Sequence, residues 1–393
     1  MEQPVKTTAF LADVFVCALG AYGGPEAHMG VFLDQLVVRR KYLTEGELVE
    51  LLALCSVLPG PTSTQTIVAV GYKTGGPWLA LLTMLVWAAP AIAVMTILSF
   101  MFSFLDAIGL SRNMLRFIGP AAVGFIVVAA WKIGKKVVVD RLTAFLCLIS
   151  ALITWFFHTP WVFPVLLALG GVVTVVASGE KTLWKRVDLN PPWIYLFIFF
   201  FIAGAALVGA AVFPGSLVSL FEKFYRYGYL VFGGGQVVVP LMYSELVDVY
   251  RYMDNTEFLT GYGLVQGIPG PMFSFASWAG ALAARSGGRV LQAVGGMLGG
   301  LGIFLPGLLL IYFVYPAWER LKSIPAIRIS LKGIGAVAGG LIAVAAFVLA
   351  AKNGLTAVNL LATAITIALL LTGRVPAPLI VALALLSGFF LPL

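Results

Sequence analysis

The chain has 393 residues, of which 61% are hydrophobic and only 11% are charged. A soluble domain carries about 25% charged residues, so this composition excludes an ordinary soluble enzyme and predicts a membrane protein. The net charge of +8 does not indicate a nucleic-acid partner, because the basic residues lie beside apolar segments, where membrane topology accounts for them.

Long apolar runs predict an all-α polytopic membrane fold. About 20 apolar residues cross the bilayer core as a helix, whereas a membrane β-barrel would show short alternating stretches, which the sequence lacks. We identify roughly thirteen such segments. In chain order they cover residues 9–24, 48–72, 78–104, 117–131, 142–157, 161–178, 193–213, 217–234, 258–282, 290–315, 329–351, 358–371 and 377–391.

The two halves of the chain form an internal repeat. A shift of 210 residues aligns 22–61 with 232–271, and a shift of 216 aligns 119–131 with 335–347. We therefore divide the chain into a first repeat, a linker with one transmembrane helix, and a second repeat. Their bounds are 1–178, 179–216 and 217–393. If each repeat crosses the membrane an even number of times and the linker crosses once, the repeats are inverted.

The basic cluster Arg39-Arg40-Lys41 conflicts with the simplest topology. With the chain start in the cytoplasm, most basic residues obey the positive-inside rule. This cluster would lie outside if segments 9–24 and 48–72 both crossed the membrane. Either those segments are broken or re-entrant, which returns the cluster to the cytoplasmic side, or the cluster lines a cavity and acts on an anion. We favour broken segments, because both contain glycine and proline near their ends.

A Pro-Gly-Pro run occurs at equivalent places in both repeats and predicts a helix break inside the membrane. Proline cannot continue a helix but suits the first turn of a new one. A helix should therefore end near Leu58 and another begin near Pro61, and a new helix presents free N–H groups that suit an anion. A kinked helix without a ligand is the alternative. The candidate binding residues are Pro59, Gly60, Pro61, Thr62, Ser63, Thr64 and Gln65, with Pro269, Gly270, Pro271 and Ser274 as a weaker second set.

Glycine pairs mark a second candidate element in each repeat. Glycines permit unwound chain and close backbone approach, so we add Gly23, Gly24, Gly233, Gly234, Gly235 and Gln236 to the candidate binding residues. Glu26 and His28 follow the first pair and are candidates for coupling, because ionisable groups within a membrane are costly and usually functional. A solvated interfacial Glu26 and a structural His28 are the alternatives. Arg39 and Arg40 are candidates for the access path.

Other chemistries lack a signature in the sequence. The three cysteines, Cys17, Cys55 and Cys147, show no CxxC spacing, and we expect no metal and no cofactor. There is no GxxxxGK[ST] run and no HExxH or convincing Ser/His/Asp set, so neither ATP hydrolysis nor another enzymatic activity is expected.

These motifs resemble the two-domain form of the chromate ion transporter family over nearly the whole chain. The resemblance implies efflux of chromate across the cytoplasmic membrane, chromate resistance, an inverted duplication and coupling to an ion gradient or to the membrane potential. The matching elements are the first GGP, the following Val38–Leu43, the run from Leu52 through Gln65, and in the second half Phe232–Gly235, Pro240–Leu241, Pro269–Pro271 and Gly302–Pro306.

The expected partners are chromate and the lipid bilayer, and a homodimer is left open. Sulfate is a similar tetrahedral dianion that the same donors would bind, since discrimination between isosteres is hard. A transporter or channel for another oxyanion such as sulfate is therefore the alternative function.

Overall fold

The computed structural model of the chain describes residues 6–107, 114–157, 162–180, 183, 190–230, 238–321 and 324–390. Most of these residues are helical, and none of them forms a β-strand. This confirms the all-α prediction for the described part of the chain.

The helices are labelled here in chain order. Two of them, α2 and α10, continue directly into π-helical turns, at Leu33–Arg39 and Ser244–Val249. The helices are α1 (Thr7–Gly20), α2 (Pro25–Phe32), α3 (Glu45–Val57), α4 (Thr62–Ala107), α5 (Ile118–Val137), α6 (Arg141–Phe156), α7 (Val162–Ala177), α8 (Trp193–Val212), α9 (Leu217–Leu230), α10 (Val238–Tyr243), α11 (Asn255–Gly267), α12 (Phe275–Ala284), α13 (Arg289–Val314), α14 (Trp318–Leu321), α15 (Pro325–Lys352), α16 (Ala357–Thr372) and α17 (Ala377–Phe390). Helix α4 is kinked where Gly75 and Gly76 leave the helical conformation.

Five helical stretches among the described residues are long and apolar enough to cross a membrane. About 20 residues are needed for one crossing, and the chain is therefore a multi-pass membrane protein. The stretches are Thr62–Leu105, Ile118–Val137, Trp193–Val212, Arg289–Ala317 and Pro325–Lys352. Several other apolar helices have only 10–17 residues, so the count of roughly thirteen segments stays a prediction.

The chain divides into two compact units. The first contains Met1–Phe104, Pro191–Tyr229 and Val265–Pro316. In its core α12 packs on α13, and Gly280 lies directly against Gly295. Small residues allow such close approach of helix backbones in membrane proteins, where apolar side chains gain little by leaving lipid.

The second unit contains Leu105–Asn190, Leu230–Leu264 and Ala317–Leu393. Its central helix is α15, which packs against α5, α6 and α7, while α16 packs on α5. Gly333 of α15 lies against Gly170 of α7, so the core of this unit also depends on small residues.

Local geometry recurs at the repeat spacings identified in the sequence. At a shift of 210, α1 aligns with α9 and α3 with α11, and at 216 α6 aligns with α16. The backbone N–H of Tyr42 donates to Leu36 O over 2.9 Å, and that of Tyr252 donates to Leu246 O over 2.9 Å. The repeat is thus a repeat of structure, and its inversion stays a prediction.

Helical stretches also lie where the apolar-run analysis assigns no segment, among them residues 25–39 and 238–249. Residues 25–39 form α2 and its π-helical turn. This stretch was missed because Asp34, Gln35 and Arg39 lower its hydropathy below that of a membrane helix. Seven residues of it are π-helical, a geometry that is rare and often found at functional sites.

Inverted repeats predict that equivalent surface positions lie on opposite faces of the membrane. Arg39 and Val249 are equivalent at the shift of 210, and both are exposed. We expect Arg39→Cys to react with an impermeant thiol reagent from one side of oriented vesicles and Val249→Cys from the other side only. The parent chain is the control: Cys17 and Cys55 are buried, and any labelling of the half-buried Cys147 is measured in it. Labelling of both positions from one side would contradict inversion.

Candidate functional site

The first Pro-Gly-Pro run breaks the helix where the sequence predicts it. Helix α3 ends at Val57 and α4 begins at Thr62, because Pro59 and Pro61 interrupt the helical hydrogen-bond pattern. The two helices then lie side by side as a hairpin, since Lys73 of α4 pairs with Glu47 in the first turn of α3 over 2.5 Å. The Pro-Gly-Pro run is the tip of this hairpin.

Helices α1 and α2, which are joined by residues 21–24, form another hairpin, called here the first hairpin because it comes earlier in the chain. Its base is held by the Asp13 carboxylate, which is 2% exposed. This carboxylate accepts from Gln35 Nε2 over 2.7 Å, from Arg40 Nε over 2.9 Å and from Tyr42 Oη over 2.6 Å. A buried carboxylate is costly unless it is paired and hydrogen-bonded, and these three donors satisfy it.

The environment of Tyr42 keeps its phenol protonated. Burial raises the pKa of Tyr42 to about 12, and the hydrogen bond to the Asp13 carboxylate adds to the rise. Tyr42, in the loop after α2, therefore stays a donor to Asp13 at neutral pH. Arg39 pairs with Asp34 over 2.9 Å at the surface, so the described contacts of Arg39 and Arg40 are at the hairpin base and not at its tip.

The two hairpin tips meet. His28, in the first turns of α2, has its Nδ1 3.0 Å from Ser63 Oγ, in the first turn of α4. Trp87 donates from Nε1 to Thr64 Oγ1 over 3.1 Å, and its ring packs edge-on against His28 and Phe32. Trp87 is fully buried. It holds the first turn of α4 and the α2 side chains in one cluster, which we call the tip cluster: His28, Ser63, Thr64, Gln65 and Trp87.

Gln65 stabilises the Pro-Gly-Pro turn by two hydrogen bonds to its carbonyl groups. Its Nε2 donates to Pro59 O over 2.9 Å, and its backbone N–H donates to Pro61 O over 2.9 Å. Gly60 has a φ of +134°, and a Cβ there would lie 2.5 Å from Gln65 Nε2. The turn therefore needs glycine for both its backbone angle and its contact with Gln65.

The second Pro-Gly-Pro run lies beside the first hairpin in the same compact unit. The backbone N–H of Gly270 donates to Ala21 O, in the break after α1, over 2.8 Å. A Cβ on Gly270, whose φ is +104°, would lie 2.9 Å from Ala91 Cβ. Ser274 is fully buried, and its hydroxyl has no hydrogen-bond partner among the described residues.

The structure thus brings together most of the predicted binding residues. Gly23 and Gly24 lie between α1 and α2, next to Ala21, which accepts from Gly270 N–H of the second Pro-Gly-Pro run. The helix start after the first run contacts α2 through Ser63 and His28. Other predicted residues cannot be placed: Gly233, Gly234, Gly235, Gln236 and the side chain of Glu26 lie outside the described residues.

Hydrogen-bond donors dominate the chemistry of the tip cluster. The first turn of α4 contributes backbone N–H groups and the positive end of the helix dipole. The Thr62 hydroxyl lies in the same turn. His28 Nε2 is buried without a partner among the described residues, and the tautomer of the ring sets whether it donates or accepts. A helix start with such donors suits an anion. No group of three potential metal-ligating side chains occurs among the described residues.

Sequence reasoning missed two elements of this arrangement. Trp87 lies in an unbroken apolar run, where a tryptophan that packs in the core has the same pattern as one that donates a hydrogen bond. Asp13 is an acidic residue in an apolar run, and its partners come from residues 35–42, which carry no apolar segment.

Comparisons with known proteins give a consistent result. The sequence model of the family described as chromate transporter matches residues 8–175 and 218–389. The chain is 27% identical over 378 residues to a probable chromate transport protein of Synechococcus elongatus, covering 94% of this chain and 92% of that protein. It is 27% identical over 372 residues to a chromate transport protein of Cupriavidus metallidurans, covering 93% and 88%. It is 25% identical over 347 residues to one of Pseudomonas aeruginosa, covering 87% and 80%. No solved structure matches the chain.

The Asp13 contacts predict a stability difference between two aspartates of the first hairpin. Asp13→Ala leaves Gln35 without its acceptor in a buried site, and we expect a loss of about 1–3 kcal/mol in unfolding free energy. Asp34→Ala removes only the exposed pair with Arg39, for which about 0–1 kcal/mol is expected. Thermal unfolding of both purified variants in detergent measures the difference. Equal melting temperatures would show that the Asp13 cluster does not hold the hairpin.

Proposed function

The chain belongs to the chromate transporter family, and we propose on that premise that it exports chromate across the cytoplasmic membrane as a secondary transporter. It is a transport protein and not an enzyme, as the family match over both halves shows. The single observation that carries the site assignment is the meeting of two hairpin tips at the start of α4, where His28 lies 3.0 Å from Ser63.

We place the main anion site at Pro59–Gln65. Anions bind at helix starts because the N–H groups of the first turn lack intrahelical partners and the helix dipole is positive there. Thr62, Ser63 and Thr64 add three hydroxyls, and each is nine-tenths buried or more. A hydroxyl that accepts one hydrogen bond, as Thr64 does from Trp87, keeps its own proton for an anion.

The second Pro-Gly-Pro run serves as a weaker counterpart. Only one hydroxyl, that of Ser274, stands in its first turn, because Met272 and Phe273 occupy the places of Thr62 and Ser63. Gly23 and Gly24 give the first hairpin its tip. Glu26 and His28 are the coupling candidates, and Arg40 acts indirectly by holding Asp13.

The proposed topology is an inverted duplication of repeats 1–178 and 217–393 around the single linker helix in 179–216. Helix α1 has 14 residues, or about 21 Å at 1.5 Å per residue, less than the about 30 Å of the bilayer core. We infer that α1 and α2 form a re-entrant hairpin. Because Arg40 returns to Asp13, the basic cluster then lies on the side where the chain starts, in agreement with the positive-inside rule.

The membrane potential suffices to drive the proposed export. An inside-negative potential favours outward movement of an anion by about 2.3 kcal/mol per charge per 100 mV. The sequence contains no GxxxxGK[ST] run for ATP binding, and a gradient or potential is accordingly the proposed energy source. Chromate resistance of the host cell would follow from net export.

Sulfate is the second candidate substrate. The donors of the tip cluster would contact only the oxygen atoms of a bound oxyanion. They therefore recognise its tetrahedral shape more than its central atom, which is chromium or sulfur. A channel for such anions would give flux that does not saturate with concentration, whereas a carrier saturates.

Uptake into everted membrane vesicles tests the function. We expect vesicles containing the chain to take up labelled chromate faster than vesicles without it, with saturation and with inhibition by sulfate. Uptake should increase with an interior-positive potential, which corresponds to export from the cell. Vesicles that carry another anion but take up no chromate above background would show that the substrate assignment is wrong.

Single substitutions test which half dominates binding. Thr62→Ala, Ser63→Ala and Thr64→Ala each remove a hydrogen bond to a charged ligand worth roughly 1.5–3 kcal/mol, or about ten-fold or more in affinity. Ser274→Ala should cost less. Thr83→Ala is the matched control, because Thr83 is a buried threonine beyond the break at Gly75–Gly76 and its hydroxyl donates to Leu79 O, one turn earlier. With membrane abundance equalised, a larger loss for Ser274→Ala than for the three others would reverse the assignment.

A further inference from the structure

One buried acceptor stands among the donors of the tip cluster. Gln65 is 1% exposed, and its Oε1 has no hydrogen-bond partner among the described residues. Exchanging the positions of Nε2 and Oε1 would not help, because Nε2 donates to Pro59 O. In the exchanged orientation the Gln65 oxygen would face the Pro59 carbonyl oxygen, and neither can donate. An unpaired buried acceptor is unfavourable, and it is complementary to a ligand that carries a hydrogen-bond donor.

The same cluster has no described cationic partner. The hydrogen bonds of His28, Ser63, Thr64, Gln65 and Trp87 within the described part of the chain are with neutral groups. Transfer of an ion from water into a medium of low polarity has a cost that rises with the square of the charge in the Born treatment. A dianion therefore costs about four times as much as a monoanion of the same size to place there.

We propose that the site binds and moves the singly protonated oxyanion, hydrogen chromate, whose hydroxyl group donates to Gln65 Oε1 while its other oxygens accept from the start of α4. This rests on the proposed function and specifies its substrate. Hydrogen chromate and chromate interconvert near neutral pH. The monoanion enters the site with its proton, leaves on the other side, and there releases the proton to water. Each chromium exported therefore moves one net negative charge, and one proton travels with it.

Two other groups near the site could carry a proton instead. His28 faces the first turn of α4, and Glu26 precedes it on α2, with a side chain outside the described residues. The remaining neighbours, Ser63, Phe32 and Trp87, do not titrate near neutral pH. A dianion that travels with a proton on His28 or Glu26 would also move one net charge, and the experiment must separate this route from ours.

The number of charges moved per chromium is measured in proteoliposomes at a clamped potential. With one charge, the equilibrium accumulation ratio changes tenfold per about 59 mV, and with two charges tenfold per about 30 mV. We expect the single-charge slope, with acidification of the compartment that chromate enters. Two charges per chromium would overturn the proposal while leaving chromate transport intact, and absence of flux would instead overturn the proposed function.

Inhibition by sulfate separates the two proton routes in the unmodified protein. Sulfate remains a dianion throughout the neutral range. If hydrogen chromate is the species bound, the affinity for total chromate falls about tenfold per pH unit above the chromate equilibrium, while sulfate, which has two charges and no hydroxyl group, inhibits only weakly and to the same extent across this range. If a proton on the protein is required, inhibition by sulfate falls in parallel with chromate affinity, and the proposal is wrong.

Substitutions test whether Gln65 Oε1 is the acceptor for the hydroxyl group of hydrogen chromate. Gln65→Met, which keeps the side-chain length, should lower chromate affinity about ten-fold and abolish the difference between the pH profiles of chromate and sulfate. Gln292→Met is the matched control, because Gln292 is a buried glutamine of α13 in the same unit that contacts Ser99. His28→Gln should keep the single-charge slope. A two-charge slope in His28→Gln, or an unchanged pH profile in Gln65→Met, would contradict the assignment.

Discussion

The constraint on which this structure depends is that a helix interrupted within an apolar environment must satisfy its backbone inside the protein. Lipid offers no hydrogen bonds, so irregular backbone is tolerated at membrane depth only where it is covered by protein or lines a cavity. The chain meets this by placing its breaks against one another. Gly270 N–H, from the second Pro-Gly-Pro run, donates to Ala21 O in the break after α1. Gln65 Nε2 donates to Pro59 O in the first run. The clustering of the breaks, and with it the candidate site, follows from this requirement.

The sequence predicts the breaks well and their partners poorly. Proline and glycine act through the local backbone, so α3 and α4 are separated at Leu58–Pro61 as expected. Trp87 and Asp13 act through residues distant in sequence, and an apolar run gives no sign of such contacts. The helical stretch after Gly24 was missed for a related reason. Gln35 donates to Asp13 inside the fold whereas Asp34 and Arg39 pair at the surface, and hydropathy counts all three side chains alike.

The repeats keep their backbone while exchanging the charges at the hairpin base. At the position equivalent to Asp13 the second repeat has Lys223, and at the position of Gln35 it has Glu245. Lys223 is 4% exposed and donates to Ser219 Oγ over 2.8 Å. Equivalent positions of α1 and α9 therefore both hold a buried charge, which is negative at Asp13 and positive at Lys223. The halves therefore share the lengths of α1 and α9 while they differ in the chemistry of the buried charge.

The two π-helical turns bear on the history of the chain. A π-helical turn holds more residues per turn than the α-helix around it and is rare in proteins. The two turns, at Leu33–Arg39 and Ser244–Val249, lie at equivalent positions of the two repeats. Two residues after the end of each turn there is a basic residue with a positive φ, Lys41 at 56° and Arg251 at 53°. Two independent insertions with the same consequence are far less economical than one. The recurrence of this rare turn at the same place in both halves therefore supports a single ancestral unit that already contained the extra residues.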